Sequence, residues 1–160
     1  MVARKLNISF YDKKKIKEYA LRNHLVNKDI TEGEVYDEFL SLDVNKEAMI
    51  QQTRVIKVIV NIEDAVIIGR ASDSILEGNK NLIKVFIYAP IKYRMKNYGD
   101  NEKQSKEHII NSDKARSNYY SIISNQVWGE KNNYDLYIDA SIGNEEVVKI
   151  IRDYIKNKEF

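Results

Sequence analysis

Residues 65–73, which read AVIIGRASD, pass directly from an apolar run to a glycine, an arginine and an aspartate. The four apolar residues 65–68 predict a strand that is buried on both faces. Gly69 permits a sharp turn, and Arg70 and Asp73 follow it at the position where open α/β sheets bind ligands. The planar guanidinium of Arg70 suits a phosphate, because it donates two parallel hydrogen bonds. A strand followed by a surface salt bridge is equally consistent with these residues alone.

Apolar segments alternate with helical patterns along the chain. Strands are predicted over residues 7–11, 65–68, 82–88 and 134–138. Helices are predicted over residues 13–25, 46–62 and 102–123, and a last one begins near Asn144. The second of these helices carries an apolar stripe made of Met49, Ile50, Thr53, Ile56, Ile59 and Val60. This alternation predicts an α/β fold with parallel βαβ units and right-handed crossovers, in one domain spanning residues 1–160.

The composition excludes several classes of function. A net charge of +2, from 26 basic and 24 acidic side chains, excludes a strongly basic nucleic-acid binder but allows a local cationic pocket. The absence of cysteine excludes disulfides, zinc thiolate sites and cysteine nucleophiles. His24 and His108 lie far apart without partners at metal-ligand spacing, so no metal site is predicted. No apolar run has membrane-spanning length and no signal peptide is recognisable, so we expect a cytoplasmic protein.

Two further arginines lie in patterns that favour a phosphate site. Arg94 lies among three cations within five residues, either on a solvated helix face or over a phosphate. On a helix, Asp113, Arg116 and Tyr120 share one face. A surface Asp–Arg pair contributes only about 0.2–0.5 kcal/mol, so helix stability alone is a weak reason for it. Convergence of Arg70, Arg94 and Arg116 on one pocket is a stronger reason, because phosphoryl transfer depends on positioning and cationic charge.

The sequence leaves the roles of four other residues open. Asp12 directly follows the first predicted strand, where it would contact a substrate or cap the helix that begins at Lys13. Tyr119 and Tyr120 would stack on a base, or one would lie in the core while the other exposes its hydroxyl. Trp128 is typical of an anchor at a turn.

These motifs, taken in order, resemble the cytidylate-kinase-like proteins, which are P-loop nucleoside monophosphate kinases. The likeness is carried by Phe10-Tyr11-Asp12, by residues 65–73, by Val85-Phe86-Ile87-Tyr88-Ala89-Pro90 with Tyr93-Arg94, by Asp113-Lys114-Ala115-Arg116 with Tyr119-Tyr120, by Trp128-Gly129, and by Tyr134-Asp135-Leu136 before Asp139. It covers residues 2–155. The resemblance implies a three-layer, parallel-sheet P-loop kinase fold that transfers the γ-phosphate of ATP, with Mg²⁺, to a pyrimidine nucleoside monophosphate such as CMP.

The resemblance also implies roles for single residues. It would place Arg70 on the phosphate of the acceptor, with Asp73 supporting it. Arg94 would lie at the base of a helical lid spanning about residues 94–123, with Asp113 and Arg116 at its far end. On closure, Arg94 and Arg116 would neutralise charge on the transferred group and exclude water.

The chain departs from this family at the phosphate loop. Its six glycines are scattered, and no Gly-x-x-x-x-Gly-Lys-Ser/Thr occurs in the 160 residues. We therefore expect an N-terminally truncated fold without the first strand and phosphate loop, weak binding of ATP and Mg²⁺, and little kinase activity. Unpaired strand edges and exposed apolar surface should follow, which leaves a homo-oligomer open. The alternatives are a non-catalytic nucleotide-binding or interaction protein with a degenerate kinase fold, and a structural domain whose cations are solvated.

Overall fold

The computed structural model describes residues 1–25, 46–96 and 102–158, which form a mixed α/β structure with four strands and seven α-helices. In chain order they are α1 Val2–Leu6, β1 Ser9–Tyr11, α2 Lys13–Arg22, α3 Lys46–Ile62, β2 Ala65–Ile67, α4 Ser72–Ile75, β3 Val85–Tyr88, α5 Ile91–Met95, α6 Glu102–Ser124, β4 Leu136–Asp139 and α7 Asn144–Asn157. Short 3₁₀ turns cover Lys131–Asn133 and Ala140–Ile142. The predicted strands and helices are confirmed to within a few residues at their ends.

The strands pair in parallel, as the alternation of strands and helices predicts. β1 pairs with β2, with Phe10 opposite Val66, and β3 pairs with β4, with Phe86 opposite Tyr137. The described strands form two two-stranded sheets. β2 and β3 therefore each have one strand neighbour among the residues that the structure describes.

Each strand pair has its own apolar core. The first core is built from α2 and α3, and its fully buried members are Ile16, Ala20, Val55, Ile56 and Ile59. The second lies between β4 and α7, and its buried members are Ile138, Val147 and Ile151. Helix α1 packs against β1 and β2 and also against α7, with Ala3 buried. This short helix therefore joins the two halves.

The prediction that residues 65–68 form a strand buried on both faces is wrong. The three residues of β2 are half-buried, and Ile68 beyond its end is 57% exposed. Ile87 of β3 is likewise 51% exposed. The physical reason is that a strand in a parallel sheet is buried only when layers cover both of its faces. Among the described elements, no pair of layers covers both faces of the strands at Ile68 and Ile87.

Two further sequence expectations bear on the extent of these elements. Residues 97–101 of the predicted lid lie outside the described part of the chain. Within that part, no helix is both long enough and apolar enough to cross a lipid bilayer.

Helix α3 provides a direct test of which side chains make the first core. The apolar stripe predicted from the sequence includes both Ile56 and Ile50, but Ile56 is fully buried and Ile50 is 62% exposed. We expect Ile56→Ala to lower the free energy of unfolding by about 2–5 kcal/mol, because it removes buried methyl groups and leaves a cavity. Ile50→Ala, the control on the same helix, should change it by about 0.5 kcal/mol or less. Equilibrium urea unfolding measures both, and equal losses would contradict this core.

Candidate functional site

The chain turns sharply after β2 through three consecutive residues with left-handed backbone. The φ angles of Gly69, Arg70 and Ala71 are +76°, +60° and +49°. Glycine adopts this conformation freely, whereas each non-glycine residue in it costs on the order of 1 kcal/mol. Amide donors close the turn: Ser72 N donates to the carbonyl of Gly69 at 3.2 Å, and Ile75 N to that of Ala71 at 2.9 Å. The turn directs Arg70 inward, where only 8% of the residue is exposed.

The side chain of Arg70 lies against a buried tyrosine of α6. Its guanidinium carbon is 5.4 Å from the ring centroid of Tyr119, within the range of a cation–π interaction. The hydroxyl of Tyr119 donates a hydrogen bond to Gln52 Oε1 of α3 at 2.9 Å. Burial raises the pKa of Tyr119, and the positive charge of Arg70 opposes that rise. Arg70 is therefore a nearly buried cation that packs against an aromatic ring.

Tyr120, the next residue of α6, holds Asp73, which lies three positions after Arg70. The hydroxyl of Tyr120 donates to Asp73 Oδ2 at 2.8 Å and lies 3.3 Å from Gln126 Oε1. Burial raises the pKa of Tyr120 above its usual range, and the hydrogen bond to Asp73 raises it further. The hydroxyl therefore keeps its proton at neutral pH and remains a donor. Two adjacent tyrosines thus contact Arg70 and Asp73.

One carboxylate links the two arginines predicted for the lid. Arg94 of α5 donates two hydrogen bonds to Asp113 of α6, from Nη1 to Oδ2 at 2.6 Å and from Nη2 to Oδ1 at 2.8 Å. Arg116 Nη1 donates to Oδ1 of the same carboxylate at 2.9 Å. These bonds, those from Arg94 above all, hold the pKa of Asp113 below the usual range of an aspartate. Two guanidiniums and one carboxylate leave a net charge of +1.

These three charged residues line a cleft of about 370 Å³. The end of β3 and an aromatic residue that follows α6 line it as well. The described residues that line the cleft are Phe86, Ile87, Tyr88, Ala89, Arg94, Asp113, Arg116 and Trp128. A lining that combines guanidinium groups with aromatic rings suits a planar, negatively charged molecule.

The aromatic residues of the lining are held by close contacts around Phe86. The rings of Phe86 and Trp128 meet edge to face with centroids 5.3 Å apart. Gly129 has a φ of +79°, and a Cβ there would lie 3.0 Å from the Phe86 ring. A side chain there would press on the Phe86 ring and would have a strained left-handed backbone, so this turn favours glycine.

The predicted site residues fall into two groups along α6. Arg94, Asp113 and Arg116 line the cleft. Arg70 and Asp73 contact Tyr119 and Tyr120, which lie one to two helical turns further along α6. Seven positions separate Asp113 from Tyr120, a rise of about 10 Å. The groups are neighbours on one helix rather than a single cluster.

Asp12 follows β1, whose Tyr11 pairs with Ile67 of β2, and it caps helix α2. Its Oδ1 accepts a hydrogen bond from the backbone amide of Lys15 at 2.9 Å. The helix cap is the role that the structure gives this residue. Its contact with a substrate stays a prediction.

Sequence reasoning missed how the two tyrosines are used. The helical spacing placed Tyr120 on the face of Asp113, but its partner Asp73 is 47 positions away in the sequence. Tyr119 and Gln52 are 67 positions apart. The paired tyrosines one turn beyond Arg116 were the only local signal of these contacts.

The described residues contain no group of three or more His, Cys, Asp or Glu side chains placed to hold a metal ion. Mg²⁺ in phosphoryl transfer is usually bound by one or two carboxylates together with substrate phosphates. The carboxylate of the cleft, Asp113, is instead engaged by Arg94 and Arg116. Among the residues that the structure describes, the lining of this cleft therefore does not fit Mg²⁺.

The Asp113 link predicts a pH-dependent stability. The unfolded carboxyl titrates near pH 4, and the folded one has a lower pKa, so folding favours the deprotonated form. This contribution is present above about pH 4 and is lost as the pH falls through the folded pKa. We expect wild type to exceed Asp113→Asn in melting temperature at about pH 7, with a difference that shrinks as the pH falls below about 4. Asp153→Asn, on an exposed position of α7, is the control, and a pH-independent difference for Asp113→Asn would contradict the link.

The chain is similar to the crystal structure of an uncharacterized protein from Eubacterium ventriosum ATCC 27560, at 26% sequence identity and a TM-score of 0.76, over 98% of this chain and 88% of that chain. It also matches shikimate kinase from Aquifex aeolicus vf5 at 23% identity and a TM-score of 0.49, over 97% and 84% of the two chains. No curated protein gives a significant match. The sequence model of the cytidylate kinase-like family matches residues 1–142. The chain belongs to the cytidylate kinase-like family.

Proposed function

We propose that this chain binds the acceptor of a phosphoryl transfer, a pyrimidine nucleoside monophosphate such as CMP, within a three-layer P-loop kinase fold. The observation that carries the proposal is the Arg94–Asp113–Arg116 cluster on the wall of the aromatic cleft. Helix α6 ties this cluster to the buried Arg70. Membership in a kinase-like family supports a phosphate-bearing nucleotide as the ligand.

The proposed roles follow from the chemistry of each group. Arg70 contacts the phosphate of the acceptor, since a guanidinium fork matches phosphate oxygens. Asp73 supports Arg70, and Asp12 contributes to substrate binding from the start of α2. Arg94 and Arg116 neutralise charge on the transferred group, with Asp113 fixing their positions.

Binding of the phosphate donor is not part of this proposal. Donor phosphates are held by backbone N–H groups of a glycine-rich loop, and the 160 residues contain no such motif. We therefore propose that these 160 residues bind the acceptor but transfer little or no phosphate. This is the non-catalytic, nucleotide-binding alternative that the sequence left open.

Isothermal titration calorimetry with CMP and with cytidine tests the binding. We expect CMP to bind more tightly, and Arg116→Ala and Arg70→Lys each to weaken CMP binding by about 10- to 100-fold, because each removes charge-assisted hydrogen bonds to the phosphate. Lysine at position 70 keeps the charge of a buried residue and loses only the planar fork.

Lys114→Ala is the matched control for this titration, because Lys114 is an exposed cation on the same helix. It should leave the affinity unchanged. Equal affinities for CMP and cytidine, or a loss in Lys114→Ala as large as in Arg116→Ala, would contradict a phosphate site here.

A coupled ADP-release assay tests the absence of transfer. With ATP, Mg²⁺ and CMP, we expect the 160-residue chain to form ADP at the rate seen without protein, because no donor loop positions the γ-phosphate. CMP-dependent ADP formation that Arg70→Lys abolishes would show that this chain is an active kinase.

A further inference from the structure

The segment after β2 is held in an unfavourable conformation, so something in the structure must stabilise it. Arg70 and Ala71 both have left-handed backbone, and Arg70 is a nearly buried cation. Left-handed non-glycine residues persist only where their surroundings determine them, and a buried charge needs compensating contacts. The contacts to this segment from α6 come from two adjacent tyrosines.

We propose that Tyr119 and Tyr120 are positioning residues, which hold Arg70 and Asp73 in the orientation that binds the phosphate of the nucleotide. This inference rests on the proposed function. Tyr119 places its ring 5.4 Å from the guanidinium carbon of Arg70, and Tyr120 donates to Asp73 at 2.8 Å.

Tyr119 is itself fixed, as a positioning residue must be. It is 3% exposed, and its hydroxyl donates to Gln52, which is 2% exposed on α3. A ring anchored at its hydroxyl end cannot turn away from the guanidinium. The face of the ring attracts the cation, and the guanidinium has five N–H donors directed from one plane.

Tyr120 contacts the other end of the segment formed by residues 70–73. Its hydroxyl donates a hydrogen bond to Asp73 in the first turn of α4. Helix α6 therefore holds Arg70, which precedes Ala71, and Asp73, which follows it. Adjacent residues on a helix project about 100° apart, which lets one helix contact two separated points. The same helix carries Asp113 and Arg116, so movement of α6 would displace Arg70 together with the charged residues that line the cleft.

A double-mutant cycle on CMP and cytidine binding tests the inference. Tyr119→Leu should weaken CMP binding by about 3- to 30-fold and leave cytidine binding unchanged, because the ring acts on Arg70 and hence on the phosphate. Combined with Arg70→Lys, it should weaken CMP binding no further than Arg70→Lys alone. Tyr119→Phe keeps the ring and should lose less affinity than Tyr119→Leu.

Tyr120→Phe is the second variant, since it removes only the hydroxyl and preserves the volume of the side chain. It should weaken CMP binding severalfold without affecting cytidine. Tyr154→Phe, on α7, is the control and should bind both ligands as wild type does. A purely structural role would lower CMP and cytidine binding equally.

The outcomes separate this inference from the proposed function. If Arg70→Lys weakens CMP binding while Tyr119→Leu and Tyr120→Phe do not, the positioning role is wrong and the phosphate site stands. Additive losses in Tyr119→Leu and Arg70→Lys would likewise overturn the positioning role. If Arg70→Lys itself binds CMP as wild type does, both proposals are overturned.

Discussion

The contact on which the candidate site depends is the carboxylate of Asp113 shared between two arginines. Without it, the guanidiniums of Arg94 and Arg116 would repel each other, and the bidentate contact between α5 and α6 would be lost. The bidentate geometry with Arg94 also fixes the plane of that guanidinium. A single acidic group therefore sets both the amount of positive charge in the cleft and its orientation.

Helix α6 extends this control across the two halves of the molecule. Arg70 follows β2 of the first strand pair, whereas Phe86 and Tyr88 of the cleft belong to β3 of the second. The two pairs have separate cores, so their strands do not fix the distance between these features. α6 contacts Arg70 and Asp73 through Tyr119 and Tyr120 near one end, and near its middle Asp113 binds Arg94, which lines the cleft. The placement of the charged groups of the site thus depends on this helix.

The sequence predicted what depends on neighbours along the chain and missed what depends on distant ones. Periodicity identified the parallel strands, the helices and the shared face of Asp113 and Arg116. It failed for the burial of residues 65–68, because burial depends on which layers cover a strand, and the described elements leave Ile68 exposed. It also could not show that Arg70 is buried against Tyr119. Side chains nearly fifty positions apart meet through the fold, and no local spacing encodes that contact.

The two kinds of arginine in this protein suit two different tasks. Arg70 is buried and held by an anchored ring, so little side-chain entropy is lost when it binds a ligand. Arg116 is half exposed and shares its carboxylate with Arg94, so its charge is partly offset until a stronger anion enters the cleft. A fixed cation binds an anion with little reorganisation, and charge that develops during transfer is also stabilised best by donors already in place, as Asp113 holds Arg116. In the proposed function, Arg70 serves recognition of the acceptor and Arg116 serves transfer, and only transfer would need a donor loop.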